Sequence, residues 1–116
     1  MDVKEIRSLI SQSKQNQLKT YEIGLILEPI EQIVGTVMDK VKGIITQYGG
    51  KVLNESELGR RTLAYPIRKN RKKYLEGIYK FIVFEGTYST VENLDRLVRI
   101  NENIIRHIIL KIKHTN

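Results

Sequence analysis

From Tyr21 to Leu27 apolar and polar positions alternate, with Tyr21, Ile23, Leu25 and Leu27 on one face and Glu22, Gly24 and Ile26 on the other. That two-residue period predicts a half-buried strand. Beyond Pro29 the period changes: Ile30, Ile33, Val34, Val37, Val41, Ile44, Ile45 and Tyr48 recur at steps of three and four. An amphipathic helix is expected there, with Pro29 in its first turn and Gly49-Gly50 ending it, Gly49 as a left-handed cap. A second strand is predicted from Lys51 to Tyr65, bent or bulged at Gly59 and stopped by Pro66. A basic loop, Arg68–Tyr74, leads to a third strand over Gly77–Glu85, with Ile78, Lys80, Ile82 and Phe84 on one face and Tyr79, Phe81 and Val83 on the other. Ser89-Thr90-Val91-Glu92 has capping-box spacing, and Val91, Leu94, Leu97 and Val98 follow on one side, so a short second helix begins here. Ile104–Ile112, apolar except for Arg106, His107 and Lys111, is the fourth strand.

The order β-α-β-β-α-β predicts an α+β, ferredoxin-like sandwich: a four-stranded antiparallel sheet in the order 4-1-3-2 with two helices on one face. The other face is left open and carries Tyr79, Phe81 and Ile26, an apolar patch of the kind that receives a partner. At 116 residues the chain makes one domain. We assign it to residues 20–116, behind an extension over residues 1–19. Val3, Ile6 and Ile10 in the extension fall at helical spacing and Ser11–Thr20 is polar, so a frayed arm with a short helix is expected. The functional alternative is an arm that folds against RNA or a neighbouring protein.

Charge changes the picture most in one place. Between Gly59 and Lys73 there are seven cations (Arg60, Arg61, Arg68, Lys69, Arg71, Lys72, Lys73) and no acid, a charge equal to the whole chain's net +7. A block of this kind is a footprint for phosphates. Leu63, Tyr65, Ile67 and Tyr74 are threaded through it, so it belongs on a folded hairpin and not on a solvated tail. The chain has no cysteine, which excludes disulfides, iron–sulfur clusters and thiolate zinc sites. No apolar run approaches 18 residues, so no membrane span is expected, and MDVKEIRSLI lacks the apolar core of a secretory signal.

Each catalytic chemistry this topology could carry requires particular residues. Acyl-phosphate hydrolysis on this topology needs an Arg-bearing phosphate cradle after the first strand, where this chain has Glu28 and Pro29. His107 and His114 lie seven apart with no second ligand at metal spacing, and His107 reads as a partly buried sheet residue. The serines have no nucleophile-elbow context. We therefore expect no enzyme activity, cofactor, metal or small-molecule substrate. Base stacking in the manner of an RNA recognition motif is disfavoured as well: Ile78 follows Gly77, and Lys80 stands where the motif needs an aromatic.

A more specific resemblance lies in five pieces of sequence: Tyr21-Glu22, Gly49-Gly50-Lys51-Val52, Gly59 through Ile67 (GRRTLAYPI), Gly77-Ile78-Tyr79, and Asn101 through Arg106 (NENIIR). In this order the chain resembles the bacterial-type small-subunit ribosomal protein S-six family over residues 20–113. The resemblance implies the same ferredoxin-like fold, no enzymatic activity, and binding to the central domain of small-subunit rRNA as a pair with ribosomal protein S-eighteen. It also implies a place on a ribosome, in the bacterial cytoplasm or in an organelle. Two features depart from the family pattern: the Ile67–Gly77 connection is longer and more basic than usual, and 19 residues precede Thr20.

Arg60, Arg61, Tyr65, Arg68, Lys69, Arg71, Lys72, Lys73 and Arg106 are accordingly the expected RNA-binding residues, with Tyr65 and Pro66 either shaping the hairpin or touching RNA. Tyr79 and Phe81 are expected to meet the protein partner, core packing being their alternative role. The rival reading is a non-ribosomal interaction domain of the same fold that self-associates through its sheet.

Overall fold

The structure, a computed structural model, describes residues 17–112. The helical spacing of Val3, Ile6 and Ile10, most of the proposed extension, and His114 lie outside the described residues. The elements are β1 (Lys19–Leu27), α1 (Glu31–Gln47), β2 (Lys51–Lys69), β3 (Lys72–Gly86), α2 (Tyr88–Arg99) and β4 (Ile104–Lys111). The strands form one antiparallel sheet in the order β2-β3-β1-β4, the expected 4-1-3-2 read from the other edge.

The main core follows the predicted faces. Ile23, Leu25 and Leu27 of β1 and Ile78, Ile82 and Phe84 of β3 meet Val37, Val41 and Ile45 of α1 and Leu94 and Val98 of α2, all of them buried. Each such side chain contributes about 1.5–3 kcal/mol by leaving water. The Tyr21 ring stacks on Phe84 with centroids 5.6 Å apart and packs, half-buried, against this core.

Helix ends differ from the expected ones for local reasons. Pro29 lies outside α1, because the Ile30 amide donates to the Glu28 carbonyl across it at 2.7 Å and Ile30, with extended backbone, is the N-cap. At the other end Gly49 adopts φ +84°, its amide donates to the Thr46 carbonyl, and the Gly50 amide donates to Ile45. These are the paired bonds of a Schellman cap, as Gly49-Gly50 predicted. The capping box of α2 sits two residues earlier than expected, on Thr87 and Thr90 instead of Ser89 and Glu92. Thr90 is fully buried, and its hydroxyl also donates to the Tyr48 carbonyl at 2.7 Å, a tie between the two helices that exposed Ser89 is not placed to make.

The largest correction concerns the basic loop. β2 does not stop at Pro66 but continues to Lys69, and β3 begins at Lys72, so Arg68–Tyr74 is the end of a long hairpin closed by Asn70 and Arg71. Both turn residues have positive φ, 52° and 67°, as a two-residue primed turn requires. Pro66 is tolerated because β2 is an edge strand and the ladder is interrupted there. Thr62 pairs with Glu76 and Ile67 with Tyr74, so residues 63–66 oppose Leu75 alone. The expected irregularity at Gly59 is also present, with φ +77° and a register shift beside it.

An excess of residues on one strand bends a hairpin. The bend forms a second, smaller core in which Leu63 and Ile67 of β2 bury against Ile105 of β4, with Ile26, Tyr74 and Tyr79 packed around them. Ile105 reaches it because the β1–β4 register shifts at this point: Ile26 pairs with Arg106 and Leu27 with Ile104. Ile104 enters the main core while Ile105 enters the second. Ile26 and Tyr79, expected on an open face, are thus half-covered by the hairpin. Gly77 is required here, since a Cβ at this position would lie 2.4 Å from Ile26 Cγ2.

Candidate nucleic-acid interface

Beyond the bulge, strand alternation sorts the basic residues into two sets. Arg68 pairs across the hairpin with Lys73, and Lys69 with Lys72. Ile67, Lys69, Lys72 and Tyr74 share the face on which Ile67 is buried, while Arg68 and Lys73 point to the opposite, exposed side.

Of the inward set, Lys69 and Tyr74 are engaged by the protein itself, while Lys72 stays exposed. Lys69 Nζ donates to the Asn101 carbonyl at 3.0 Å and to the Ile104 carbonyl. Burial and, next, the nearby charge of Arg106 hold its ammonium below the usual lysine range, against the opposing pull of Glu28 and Glu102. Glu28 is a 5% exposed carboxylate that accepts from Tyr74 Oη at 2.6 Å and from Asn103 Nδ2 at 2.8 Å, with Lys72 Nζ at 3.9 Å. Burial, the strongest single influence, pushes the Glu28 carboxyl up. The bonds from Tyr74 and Asn103 with the charges of Lys72 and Lys69 outweigh it, so the group lies below its ordinary range. The Tyr74 phenol is pushed up to about 12, by burial first and then by its bond to Glu28. Arg60 is also engaged, donating from Nε to Glu76 at 2.7 Å.

Five other exposed cations, on the hairpin and on β4, are different. Arg61, Arg68, Arg71, Lys73 and Arg106 are exposed and form no ion pair with an acid among the described residues. Arg68 and Lys73 stand directly opposite each other, a like-charged cross-strand pair that is destabilising until an anion bridges it. Of the nine residues expected at RNA, five cations thus have no ion pair among the described residues and Tyr65 is 68% exposed, while Lys69 is bound to backbone carbonyls, Arg60 to Glu76, and Lys72 lies 3.9 Å from Glu28.

The uncovered part of the sheet face carries a shallow groove of about 200 Å³, lined by Gly24, Ile26, Tyr79, Phe81, Arg106 and Ile108. Gly24 forms its floor, since a Cβ there would lie 3.3 Å from the Phe81 ring and 3.4 Å from Ile108. Ile108 and Leu110 continue the surface, 57% and 52% exposed. Tyr79 and Phe81, expected from the sequence at a partner, both line this groove; Ile108 and Leu110 were not singled out there. The signal was available in the alternation of β4, once Gly24 is paired with Ile108 and Glu22 with Leu110. Sequence reasoning also missed Glu28 and Asn103, which only the tertiary fold brings to Tyr74.

His107 lies on the helix side, 2.7 Å from Asp95 Oδ1, and that hydrogen bond is the main reason the Asp95 carboxyl lies below its usual range. Among the described residues no group of three His, Cys, Asp or Glu side chains could hold a metal ion, and no helix is long and apolar enough to cross a membrane.

Fold and surface together define the class: a ferredoxin-like α+β domain with a cationic hairpin bent over its sheet. The family model described as Ribosomal protein S6 matches residues 20–111. The chain is 38% identical over 98 residues to the small ribosomal subunit protein bS6 of Syntrophomonas wolfei, covering 81% of this chain and 96% of the relative. It is 36% identical over 96 residues to bS6 of Carboxydothermus hydrogenoformans, again with 81% and 96% covered. The crystal structure of 30S ribosomal protein S6 from Thermotoga maritima superposes with a TM-score of 0.74 at 27% identity, covering 83% of this chain and 89% of that one. The chain belongs to the ribosomal protein S6 family, whose bacterial members are part of the small ribosomal subunit in the cytoplasm. This is a family of structural proteins, not of known enzymes.

Proposed function

We propose that the chain is a structural constituent of the small ribosomal subunit that binds the central domain of its rRNA together with ribosomal protein S-eighteen. Family membership supports the ribosomal role. The observation that carries the RNA part is the disposition of the charges: Lys69 is bound to backbone carbonyls and Arg60 and Lys72 lie by acids, while Arg61, Arg68, Arg71 and Lys73 of the hairpin and Arg106 of β4 are exposed and form no ion pair with an acid among the described residues. Cations in this arrangement neutralise phosphates and fix position without reading base sequence. Tyr65, exposed on the same hairpin, adds a ring that can lie against sugar or base. The apolar groove around Phe81, continued by Ile108 and Leu110, suits a protein neighbour, and S-eighteen is assigned to it.

The test is binding to a transcript of the rRNA central domain, with a transcript of another rRNA domain as control, each with and without S-eighteen. Preferential binding to the central domain, strengthened by S-eighteen, is expected. Equal binding to both transcripts, unaffected by S-eighteen, contradicts the reading. Concentration-dependent dimers of the chain in its place would favour self-association through the sheet.

A further inference from the structure

Lys69 stands in the middle of the basic block, yet its ammonium is directed back into the protein, onto the carbonyls of Asn101 and Ile104. On the opposing strand Tyr74 reaches the buried Glu28. The far end of the hairpin is therefore fastened once through each strand, and Ile67 buries in the second core with Ile105 beside Tyr74. It needs such fastening. Between the bulge at residues 63–66 and the turn, the cross-strand partners are only Ile67–Tyr74, Arg68–Lys73 and Lys69–Lys72. A two-stranded ribbon that short is marginal alone, and the interrupted ladder at the bulge makes a natural hinge. A lysine suits the task, since its flexible stem carries three donors and can serve two carbonyls at once.

We propose that Lys69 is a positioning residue: with Tyr74 and Glu28 it fixes the hairpin end on the sheet, so that Arg68, Arg71 and Lys73 meet RNA phosphates in one preset arrangement. This rests on the RNA reading above and changes the role of one residue within it. Lys69 contributes to affinity through its neighbours and not through a phosphate of its own.

The experiment measures RNA affinity across a salt series for the parent chain, Lys69→Met, the triple variant Arg68→Ser/Arg71→Ser/Lys73→Ser, and the two combined. Lys69→Met is expected to bind about three- to tenfold more weakly with an unchanged salt slope, and to have no further effect in the triple-variant background. A slope shallower by about 0.7–0.9, or an equal loss in both backgrounds, overturns the proposal, because Lys69 then neutralises a phosphate itself. Unchanged affinity overturns it as well. Tyr74→Phe keeps every cation and provides a second variant, for which the same weakening at unchanged slope is expected. Amide exchange over residues 67–74 of the free protein should quicken in both single variants, and normal exchange in both refutes the fastening independently of RNA. A parent chain with no salt-dependent RNA binding overturns the RNA reading, and with it the positioning role, while the exchange result still decides whether the fastening exists.

Discussion

Tyr74→Phe removes one oxygen and nothing else from the contact that joins β3 to Glu28. The hydroxyl donates to Glu28 Oε2 at 2.6 Å, and the carboxylate is 5% exposed, so water cannot readily take the vacated place. A hydrogen bond to a charged acceptor is worth about 1.5–3 kcal/mol, and Asn103 with the more distant Lys72 would remain as the other partners. We therefore expect a loss of about 2 kcal/mol at neutral pH in urea denaturation. The pH dependence provides a second check. The Glu28 carboxyl lies below its ordinary 4.5 when folded, so its contribution is present above that value and is lost as pH falls through the depressed folded pKa. The Tyr74 phenol is raised from 10.0 to about 12, so its contribution is complete below 10 and is lost as pH rises toward 12. The gap between parent and variant should thus be flat through neutral pH and narrow on both sides. A gap below about 0.5 kcal/mol at pH 7 would refute the reasoning, as would one that stays constant in acid.

The other predictions address separate parts of the molecule. Gly77→Ala should cost about 1–3 kcal/mol in denaturant unfolding, since the added methyl overlaps Ile26 in the second core; an unchanged midpoint would mean that core is loosely packed. Arg71→Gly relieves a side chain held at φ 67° and should stabilise the free protein by about 0.5–1 kcal/mol while weakening RNA binding, and loss of stability would contradict the turn geometry. Phe81→Ala with Ile108→Ala should weaken association with S-eighteen by 2 kcal/mol or more, roughly thirtyfold, and leave binding to RNA alone intact. Normal pairing with S-eighteen would move the partner to another surface.

Much of the sandwich was legible because each element carries its own period. Ile23, Leu25 and Leu27 alternate, and Val37, Val41 and Ile45 recur with the helix, and both patterns predict the faces that form the main core. Gly49 was legible because few other residues adopt its backbone without strain. The hairpin end was misread as a loop since Arg68, Lys69, Lys72 and Lys73 show no apolar alternation. Their two faces differ by what the cationic groups touch, not by hydrophobicity. Pro66 reads as a strand end unless the strand is known to lie at an edge and the ladder to be interrupted. The intramolecular contacts of Lys69 are not legible because its acceptors, the carbonyls of Asn101 and Ile104, are 32 and 35 residues away and leave no mark on local sequence. Glu28 was passed over for a related reason: an acid after a strand usually faces water, and this one is enclosed only when Tyr74 and Asn103 arrive from elsewhere in the chain.

The salt dependence of RNA binding tests the central claim most directly. Five cations with no ion pair among the described residues, Arg61, Arg68, Arg71, Lys73 and Arg106, would displace counterions in proportion to the phosphates they neutralise, giving a slope of log affinity against log salt of about −3.5 to −4.5 for five contacts. Arg68→Ser/Arg71→Ser/Lys73→Ser removes three of them, and the slope should become shallower by about 2–3 with the domain still folded. A parent slope flatter than about −1, or a triple variant with the parent's slope, would show that the outward face of the hairpin does not meet RNA phosphates.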